Sequence, residues 1–344
     1  MADPLRVGVV GCGFFFAQNH LHSWKSLAGE GAKLAAVCDI DPAKAKAAAE
    51  TFGAPHWYSD VDRMLAAEKL DLVDIVTRVE THEEMVGRTI AARIPTIVQK
   101  PFGPDLAAGQ AMAKAASAAG VFLAVHENFR FQAPFRRITA LLREGAIGQP
   151  SWARISFRTA YDIYRTQPYL LREKRFILID LGVHVLDLAR VFLGEVAHLS
   201  AETQQRDPRV AGEDTATMLL RHRAGGVSVV DCSYDARRLP DVFPETRVEI
   251  EGPKGAILLK PALKLEVTVE GRMTEEDGDA PLLDWAARPW HVVQESVQAT
   301  CAHMLAAIRA GREAETSAAD NLKTFALAEA AYDSMRAARA IPMS

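Results

Sequence analysis

An apolar run that ends in two closely spaced glycines constrains the fold of this sequence more than any other feature. Residues 7–10 are the short, valine-rich kind of run that forms a buried strand, and Gly11-Cys12-Gly13 follows directly. A strand, a tight glycine turn and a following helix form the start of an α/β unit, in which the N-terminus of the helix faces the sheet edge.

The same alternation of strand and helix continues through the first third of the chain. Predicted strands lie near residues 5–10, 34–38, 72–76, 95–98 and 121–125, and predicted helices near 18–28, 42–51, 60–68, 82–93 and 104–119. These strands are apolar without period-two alternation, which is typical of parallel strands covered by helices on both faces. The sequence therefore predicts an α/β fold whose N-terminal domain, residues 1–128, is a doubly wound parallel-sheet Rossmann domain.

The pattern changes after residue 128. Predicted elements are helices near 134–144 and 178–193, a strand near 151–158, several successive strands between 196 and 267, and helices near 291–310 and 318–337. Strands that follow one another without helices favour an antiparallel sheet. Because 344 residues exceed the size of most single cores, we expect two domains. We assign residues 129–344 to a C-terminal α+β domain on a mostly antiparallel open sheet.

Composition narrows the class of ligand. A net charge of −4 provides no basic field for nucleic acid. No apolar segment reaches the ~18 residues that span a bilayer, and Asp3-Pro4 does not suit a signal peptide. The four cysteines lie far apart, which favours reduced thiols over a disulfide or a metal site. We therefore expect a cytoplasmic protein with a small-molecule ligand, no nucleic acid or membrane partner, and no metal.

The glycine turn indicates a dinucleotide site. Gly11 and Gly13 match the first two glycines of Gly-x-Gly-x-x-Gly, but Phe16 stands at the third position and Ala17 follows. The missing glycine predicts that the next helix stands further from the strand or begins one residue later.

The second predicted strand is followed by a carboxylate, Asp39, which we expect to decide between NAD and NADP. Asp39 would accept hydrogen bonds from the adenosine ribose hydroxyls and repel a 2′-phosphate, so we expect NAD and regard NADP as the weaker alternative. The other interpretation is that Asp39 caps the helix at Pro42, a role for which Asp41 is better placed.

Two further positions carry groups able to move a proton. Lys100 ends the strand near 95–98, which places an amine at the same sheet edge as the glycine turn. Asp180 and His184 are four residues apart on one helical face, where a carboxylate can orient an imidazole. A base at a hydroxyl is what hydride removal from a carbinol carbon requires. Taken singly, Lys100 also fits a solvated strand-end lysine and His184 a core histidine.

Candidate substrate contacts lie in two places. Asn128 and Arg130 follow the last strand of the predicted parallel sheet, at the edge where such sheets bind ligands. The second place is a run rich in hydroxyl and guanidinium groups, from which we single out Arg158, Tyr164 and Arg165. Such groups suit a sugar or a sugar acid; a solvated loop or a subunit contact is the alternative.

These features occur in the order and spacing of a known family. The glycine turn, Asp39, Lys100-Pro101 and Asp180-x-x-x-His184 together resemble the glucose-fructose oxidoreductase/inositol dehydrogenase (Gfo/Idh/MocA) family over nearly the full length of the chain. Further matching segments are 73–77 with His82, 128–131, 145–148 and 328–334.

The resemblance implies a nicotinamide-dependent dehydrogenase in which Lys100, Asp180 and His184 are catalytic and surround the substrate hydroxyl. Either Lys100 or His184 takes the proton. The second domain would bind substrate and join subunits into a homodimer or homotetramer. The cofactor contacts that the resemblance implies are Gly11, Gly13, Phe14, Phe15, Asp39, Thr77, His82, Gln99 and Lys100.

Two departures from the family pattern affect the pocket. Gln99 stands where the family usually has Glu, and Lys174-Arg175-Phe176 replaces a glycine triplet. The segments near Asn128 and Tyr164 are most similar to members that oxidise a branched aldose at its anomeric carbon to the lactone. The alternatives are an inositol or sugar-acid dehydrogenase, an NAD-dependent glycoside-cleaving enzyme of the same fold, and a non-catalytic NAD-binding module.

Overall fold

Six parallel strands form the first sheet of this computed structural model, which describes residues 3–239 and 241–343. In chain order they are β1 (Leu5–Val10), β2 (Ala32–Cys38), β3 (His56–Tyr58), β4 (Leu72–Ile75), β5 (Thr96–Gln99) and β6 (Leu123–His126). Their order across the sheet is β3-β2-β1-β4-β5-β6, which confirms the doubly wound parallel sheet. The predicted strands omitted β3, because its three half-exposed or exposed residues form no apolar run.

Helices alternate with these strands, and aspartates mark where several begin. The helices are α1 (Leu21–Ser26), α2 (Pro42–Phe52), α3 (Val61–Ala67), α4 (His82–Ala91) and α5 (Leu106–Ala119). The side chains of Asp41, Asp60 and Asp105 accept hydrogen bonds from first-turn N–H groups of α2, α3 and α5. A π-helical turn, Phe16–His20, leads into α1, and a 3₁₀ turn, Leu27–Glu30, follows it.

A second sheet of nine strands follows in the chain. Its strands are β7 (Trp152–Arg158), β8 (Val196–Gln204), β9 (Thr215–His222), β10 (Val227–Ser233), β11 (Arg247–Gly252), β12 (Gly255–Leu259), β13 (Lys264–Val269), β14 (Arg272–Asp277) and β15 (Ile341–Pro342). Their order is β14-β13-β12-β11-β7-β10-β9-β8-β15, and within the described ranges every pairing except β7 with β10 is antiparallel. The predicted α+β part with a mostly antiparallel sheet is therefore confirmed.

One face of this second sheet is covered and the other is open. Helices α6 (Ala133–Arg143) and α7 (Val183–Leu193) pack on each other, and α7 packs on β7 and β10. Strand β9 alternates, with Met218 and Leu220 buried while Leu219 between them is 52% exposed. A sheet that alternates in this way buries one face only.

The chain groups into two compact units whose composition departs from the predicted division. The first contains the residues up to Asn128 and Gln294–Lys323; the second contains Phe129–Val293 and the residues from Thr324 on. Helices α8 (His291–Arg309) and α9 (Ala318–Ala337) therefore each contribute to both groups. The division into a dinucleotide-binding domain at 1–128 and a substrate-binding and oligomerisation domain at 129–344 stays a prediction. Residues 1, 2, 240 and 344 lie outside the described part.

Apolar burial explains why Gln294–Lys323 belongs with the first unit. On α8, Val297, Cys301, Met304 and Leu305 are buried in one hydrophobic cluster with Trp24 and with residues of β1 and β2. The spacing of these four positions is that of one helical face, so the helix contributes a stripe to that core. Among the described residues, no helix is long and apolar enough to cross a membrane.

This packing predicts a specific loss of stability. Met304 is fully buried in the first unit, so Met304→Ala should lower the free energy of unfolding by about 2 to 5 kcal/mol through lost burial and a residual cavity. The matched control is Met273→Ala, because Met273 is 59% exposed and should change stability by less than about 0.5 kcal/mol. Urea unfolding measures both. Equal losses in the two variants would contradict the assignment of α8 to this core.

Candidate active site

The glycine turn after β1 is fixed by its backbone. Gly11 has a φ of +98°, and its N–H donates to the Cys38 carbonyl at 2.7 Å. A Cβ on Gly11 would lie 2.6 Å from the Val76 carbonyl oxygen, so no other residue fits without displacing the backbone after β4. The turn is therefore held between the carboxyl ends of β2 and β4.

Gly13 is different, because the protein itself does not require a glycine there. A Cβ on Gly13 would meet no protein atom within 4 Å, so the missing side chain leaves open space beside the turn. The Gly13 carbonyl accepts from the Ala17 N–H at 3.1 Å, which starts the helical backbone immediately after the turn. The first N–H groups of a helix have no carbonyl partner within it and suit an anion such as pyrophosphate.

The helix start corrects the expectation of a helix that begins near residue 18. Phe16 lies at the position of the missing third glycine and is buried within the π-helical turn Phe16–His20. A π turn accommodates one extra residue, and Ala17, one place later, packs against the core. Phe14 is 46% exposed beside the turn, and the edge of the Phe15 ring meets His20.

Asp39 connects the end of β2 to the glycine turn. Its Oδ2 accepts from the Cys12 N–H at 2.7 Å, and its Oδ1 accepts from the Asp41 N–H at 2.9 Å. Asp41, not Asp39, caps α2 by accepting from the Ala43 N–H. Burial, together with the Asp39 charge, raises the pKa of the Cys12 thiol to about 12, so this cysteine is a neutral neighbour.

These residues fit NAD. Each carboxylate oxygen of Asp39 has lone-pair capacity beyond its one backbone bond, which suits the two ribose hydroxyls. The open space at Gly13 suits the close approach of a pyrophosphate.

Thr77 and His82, the predicted cofactor contacts after β4, are both hydrogen-bonded to other protein groups. The Thr81 hydroxyl donates to Thr77 Oγ1 at 2.8 Å. The His82 ring lies between two loops, with Nε2 3.2 Å from the Thr77 carbonyl and Nδ1 3.1 Å from the Pro101 carbonyl. His82 is buried, and burial lowers its pKa, so the ring connects the two loops through hydrogen bonds in the interior. Contact of His82 with a cofactor stays a prediction.

Beneath the edge at Lys100 lies a buried polar cluster, which we define as His20, Trp24, Asp74, Gln99, His126 and Cys301. Asp74 Oδ2 accepts from the Trp24 indole N–H and pairs with His20 Nδ1, both at 2.7 Å. Burial opposes ionisation of Asp74, but His20 and the Trp24 hydrogen bond outweigh it and lower the pKa of the carboxyl. Gln99 Nε2 lies 3.0 Å from His20 Nε2, and Gln99 Oε1 accepts from the Lys100 backbone N–H at 2.8 Å.

Part of this cluster has the residue types of a metal site. One ligand atom from each of His20, His126 and Cys301 lies within 4.8 Å of the others. Gln99 already bonds to Nε2 of His20, and Asp74 already bonds to its Nδ1. Burial raises the pKa of the Cys301 thiol well above its usual value. Because both ring nitrogens of His20 are already hydrogen-bonded, we do not assign a metal site to these three residues.

The second unit places Asp180 and His184 at the start of α7. Asp180 lies in a π-helical turn, Leu178–Gly182, that leads into the helix. The Tyr234 hydroxyl donates to Asp180 Oδ2 at 3.1 Å, and the Phe129 ring stacks on His184 with centroids 4.0 Å apart and planes at 6°. Neither partner was predicted, because each contact joins segments distant in sequence.

A buried ion pair lies one turn beyond His184. Arg130 donates from Nε to Asp187 Oδ2 at 2.7 Å and from Nη2 to Oδ1 at 2.5 Å, and the Thr324 hydroxyl donates to Oδ1 at 2.7 Å. Such a bidentate pair fixes Arg130 as part of the interior. In the first unit, the Asn128 side chain donates to Ser296 Oγ at 2.6 Å. Contacts of Arg130 or Asn128 with substrate stay predictions.

The other three predicted substrate residues differ in environment: Arg158 lies on β7, whereas Tyr164 and Arg165 are neighbours in one 3₁₀ turn. Arg158 donates to Asp231 on the open face of the sheet, opposite to Phe157, whose ring meets that of Phe129. Period-two alternation therefore carries Arg158 away from His184. Tyr164 is buried in an apolar cluster with Phe176, and Arg165 is exposed in a short 3₁₀ turn.

The second unit also contains a group of aromatic side chains that the sequence did not indicate. Tyr161 and Phe243 are stacked with centroids 3.9 Å apart, and Trp290 meets Phe243 edge to face at 4.9 Å. All three side chains are half-exposed. We call Tyr161, Phe243 and Trp290 the aromatic group.

A Rossmann sheet with a glycine turn after β1 and a carboxylate after β2 is typical of a dinucleotide-binding protein. Residues 5–127 match the family model described as an oxidoreductase family with an NAD-binding Rossmann fold, and residues 135–258 match the model of the GFO/IDH/MocA C-terminal domain. The chain belongs to the Gfo/Idh/MocA family.

Named relatives match over the whole chain. A D-apiose dehydrogenase from Rhizobium rhizogenes is 45% identical over 98% of this chain and 97% of the relative. One from Paraburkholderia graminis is 44% identical over 97% and 88%. The crystal structure of an oxidoreductase from Agrobacterium radiobacter in complex with NAD+, L-tartaric acid and magnesium has a TM-score of 0.96 at 45% identity and covers 98% of both chains. This chain is an NAD-dependent dehydrogenase.

The buried cluster predicts how stability responds to acid. Burial lowers the pKa of His126 from 6.5 to about 3. Below pH 6.5 this imidazole therefore binds a proton in the unfolded chain but stays neutral in the folded chain. Stability is therefore lost as pH falls through this window. Between pH 7 and pH 5 the wild type should lose about 2 kcal/mol more than His126→Phe, as measured by urea unfolding.

The control for this measurement is the exposed His198. His198→Gln should keep the pH dependence of the wild type. Parallel stability curves for the wild type and His126→Phe would contradict the burial of a neutral imidazole at position 126.

Proposed function

We propose that this chain oxidises D-apiose, or a closely similar aldose, at its anomeric carbon to the lactone. The C1 hydroxyl loses a proton and C1 loses a hydride, so the products are the lactone, NADH and one proton. The observation that carries the proposal is the 45% identity with the Rhizobium rhizogenes D-apiose dehydrogenase over 98% of the chain.

We assign the proton transfer to Lys100, Asp180 and His184. Either the Lys100 amine or the His184 imidazole takes the proton of the reacting hydroxyl, and the Asp180 carboxylate accepts a hydrogen bond from a substrate hydroxyl. The Tyr234 hydroxyl bond to Asp180 supports this role, because it restricts the orientation of the carboxylate. The stacked Phe129 ring restricts rotation of the His184 imidazole. Bound NAD supplies the hydride acceptor.

The cofactor contacts follow the glycine turn. We propose that Gly11, Gly13 and the N–H groups of the following helix bind the pyrophosphate, and that Asp39 binds the ribose. Phe14 and Phe15, which flank the turn, and Thr77, Gln99 and Lys100, which follow β4 and β5, complete the proposed set.

The aromatic group supports a carbohydrate substrate. Half-exposed aromatic rings offer apolar surface to the C–H faces of a sugar, while their edges and the Tyr161 hydroxyl leave room for polar contacts. Arg165 on its exposed turn is the proposed polar contact from the same segment.

A hydroxy acid is the second candidate substrate. The Agrobacterium radiobacter oxidoreductase was crystallised with NAD+ and L-tartaric acid, a compound with two adjacent hydroxyls between carboxylates. An inositol dehydrogenase and a glycoside-cleaving enzyme use the same fold, and net NADH release on free sugars distinguishes the proposal from both.

We also propose that the protein is a cytoplasmic homodimer or homotetramer. Leu219 on the open face of the second sheet is 52% exposed, and Arg154 lies on that face beside Asp231, a mixture of apolar and charged side chains suited to a second copy. The four cysteines are free thiols, as a reducing compartment favours.

A substrate screen tests the proposed function. With NAD, D-apiose should give NADH absorbance with a kcat/KM at least about tenfold above that of myo-inositol, D-glucose, D-gluconate and aryl glycosides. Lys100→Ala should lower kcat at least about 100-fold, because a general acid–base group contributes that much. Lys114→Ala, at an exposed position of α5, is the matched control and should retain full turnover. Turnover of inositol without turnover of apiose, or full activity in Lys100→Ala, would contradict the proposal.

A further inference from the structure

Four groups of the first unit form a continuous hydrogen-bonded chain that ends at Lys100. The chain runs from the Asp74 carboxylate through the His20 imidazole and the Gln99 amide to the Lys100 backbone N–H, with distances of 2.7, 3.0 and 2.8 Å. The side chains of His20 and Asp74 are completely buried, and Gln99 is 8% exposed. We call this series the Asp74 chain.

The bonds determine the direction of every member. The Lys100 backbone N–H is a donor, so the Gln99 atom that faces it must be the oxygen Oε1. The Gln99 amide nitrogen therefore faces His20, and it donates to Nε2 of that ring. A ring that accepts at Nε2 carries its proton on Nδ1, which donates to Asp74 Oδ2. The carboxylate selects the tautomer, and the tautomer selects the amide orientation.

The chain joins three elements that meet at the cofactor edge of the sheet. His20 ends the π-helical turn that follows the glycine turn, Asp74 lies in β4, and Gln99 ends β5 immediately before Lys100. Because Asp74 also accepts from the Trp24 indole, its carboxylate is held independently of His20. The Lys100 backbone N–H is therefore linked, through Gln99, to two side chains that are distant in sequence.

We propose that His20 and Asp74 are positioning residues for Lys100 and act through Gln99. This inference rests on the proposed function, in which Lys100 touches the substrate. Without the imidazole acceptor, no hydrogen bond from the Gln99 amide nitrogen to His20 holds Oε1 toward Lys100. The acceptor of the Lys100 N–H is then no longer fixed. Small displacements of a reacting group have large effects on rate, so the effect should appear in kcat.

The first test uses variants matched in burial. His20→Phe keeps a ring but removes both nitrogens, whereas Trp24→Phe removes the other donor to Asp74 and leaves the chain intact. We expect His20→Phe to lower kcat about tenfold, the loss expected for one net hydrogen bond, with KM for NAD changed less than about twofold. Trp24→Phe should keep the wild-type kcat. Equal effects of the two variants on kcat would overturn the proposal.

Gln99→Met supplies the second variant, because it leaves the His20–Asp74 pair in place and breaks the link to Lys100. Any loss of the proposed NAD contact of Gln99 is common to the single and the double variant and cancels in their comparison. If His20 acts through Gln99, the loss of kcat in the double variant His20→Phe/Gln99→Met should equal the loss in Gln99→Met alone. Additive losses would show that His20 acts by another route and would overturn the proposal.

Two measurements on the protein without substrate keep this test separate from the proposed function. Nitrogen-15 NMR of histidine-labelled wild type should show His20 protonated at Nδ1 and bare at Nε2. Exchange of the Lys100 amide hydrogen should be about tenfold faster in Gln99→Met than in the wild type. A proton on Nε2, or unchanged exchange, would overturn the chain even if apiose is oxidised. The expected NMR results without turnover of any sugar would instead refute the function and retain the chain.

Discussion

The hydrogen bond from the Cys12 N–H to the Asp39 carboxylate is the constraint on which the first unit of the structure depends. It fastens the glycine turn after β1 to the end of β2, and Gly11 adds a second bond from its N–H to the Cys38 carbonyl. With the turn held in this way, the following helix begins at once and its first N–H groups face the sheet edge. The same carboxylate that completes the fold of the turn is the group to which we assign the choice of NAD over NADP.

Each unit uses a buried carboxylate to arrange the residues next to its proposed chemical groups. Asp74 accepts from His20 and Trp24 below Lys100, and Asp187 accepts from Arg130 and Thr324 one turn after His184. A buried carboxylate is costly unless it is fully bonded, and Asp74 Oδ1 is buried without a hydrogen-bond partner among the described residues. We therefore infer that these carboxylates specify geometry more than they add stability. Both units also begin their functional helix with a π-helical turn, which shifts the register of the side chains that follow.

The local features of the fold were predictable from the sequence, and the contacts between distant segments were not. The parallel sheet, the glycine turn and the cap at Asp41 follow from apolar runs, glycine spacing and aspartate placement, all of which are local. Strand β3 was missed because it is short and has no apolar run. The assignment of Gln294–Lys323 to the first unit was missed because an apolar stripe on a helix does not indicate which core it joins.

The site shows the same division. Asp39 was singled out from its position after a strand, whereas Tyr234, His20 and the aromatic group make their contacts with residues far away in the chain. Arg158 was placed near the substrate because its neighbours are polar, but the alternation of β7 directs it to the open face. The side-chain face of a residue at a strand end is decided by register, and composition carries no information about register.

The most direct test of the central claim is equilibrium binding of NADH and NADPH, followed by fluorescence, to the wild type and to Asp39→Ser. The serine keeps a short polar side chain but removes the charge that repels a 2′-phosphate. The wild type should bind NADH at least about 100-fold more tightly than NADPH, and Asp39→Ser should reduce this preference at least about tenfold. Equal affinity of the wild type for both dinucleotides, or an unchanged preference in Asp39→Ser, would contradict the role given to this carboxylate.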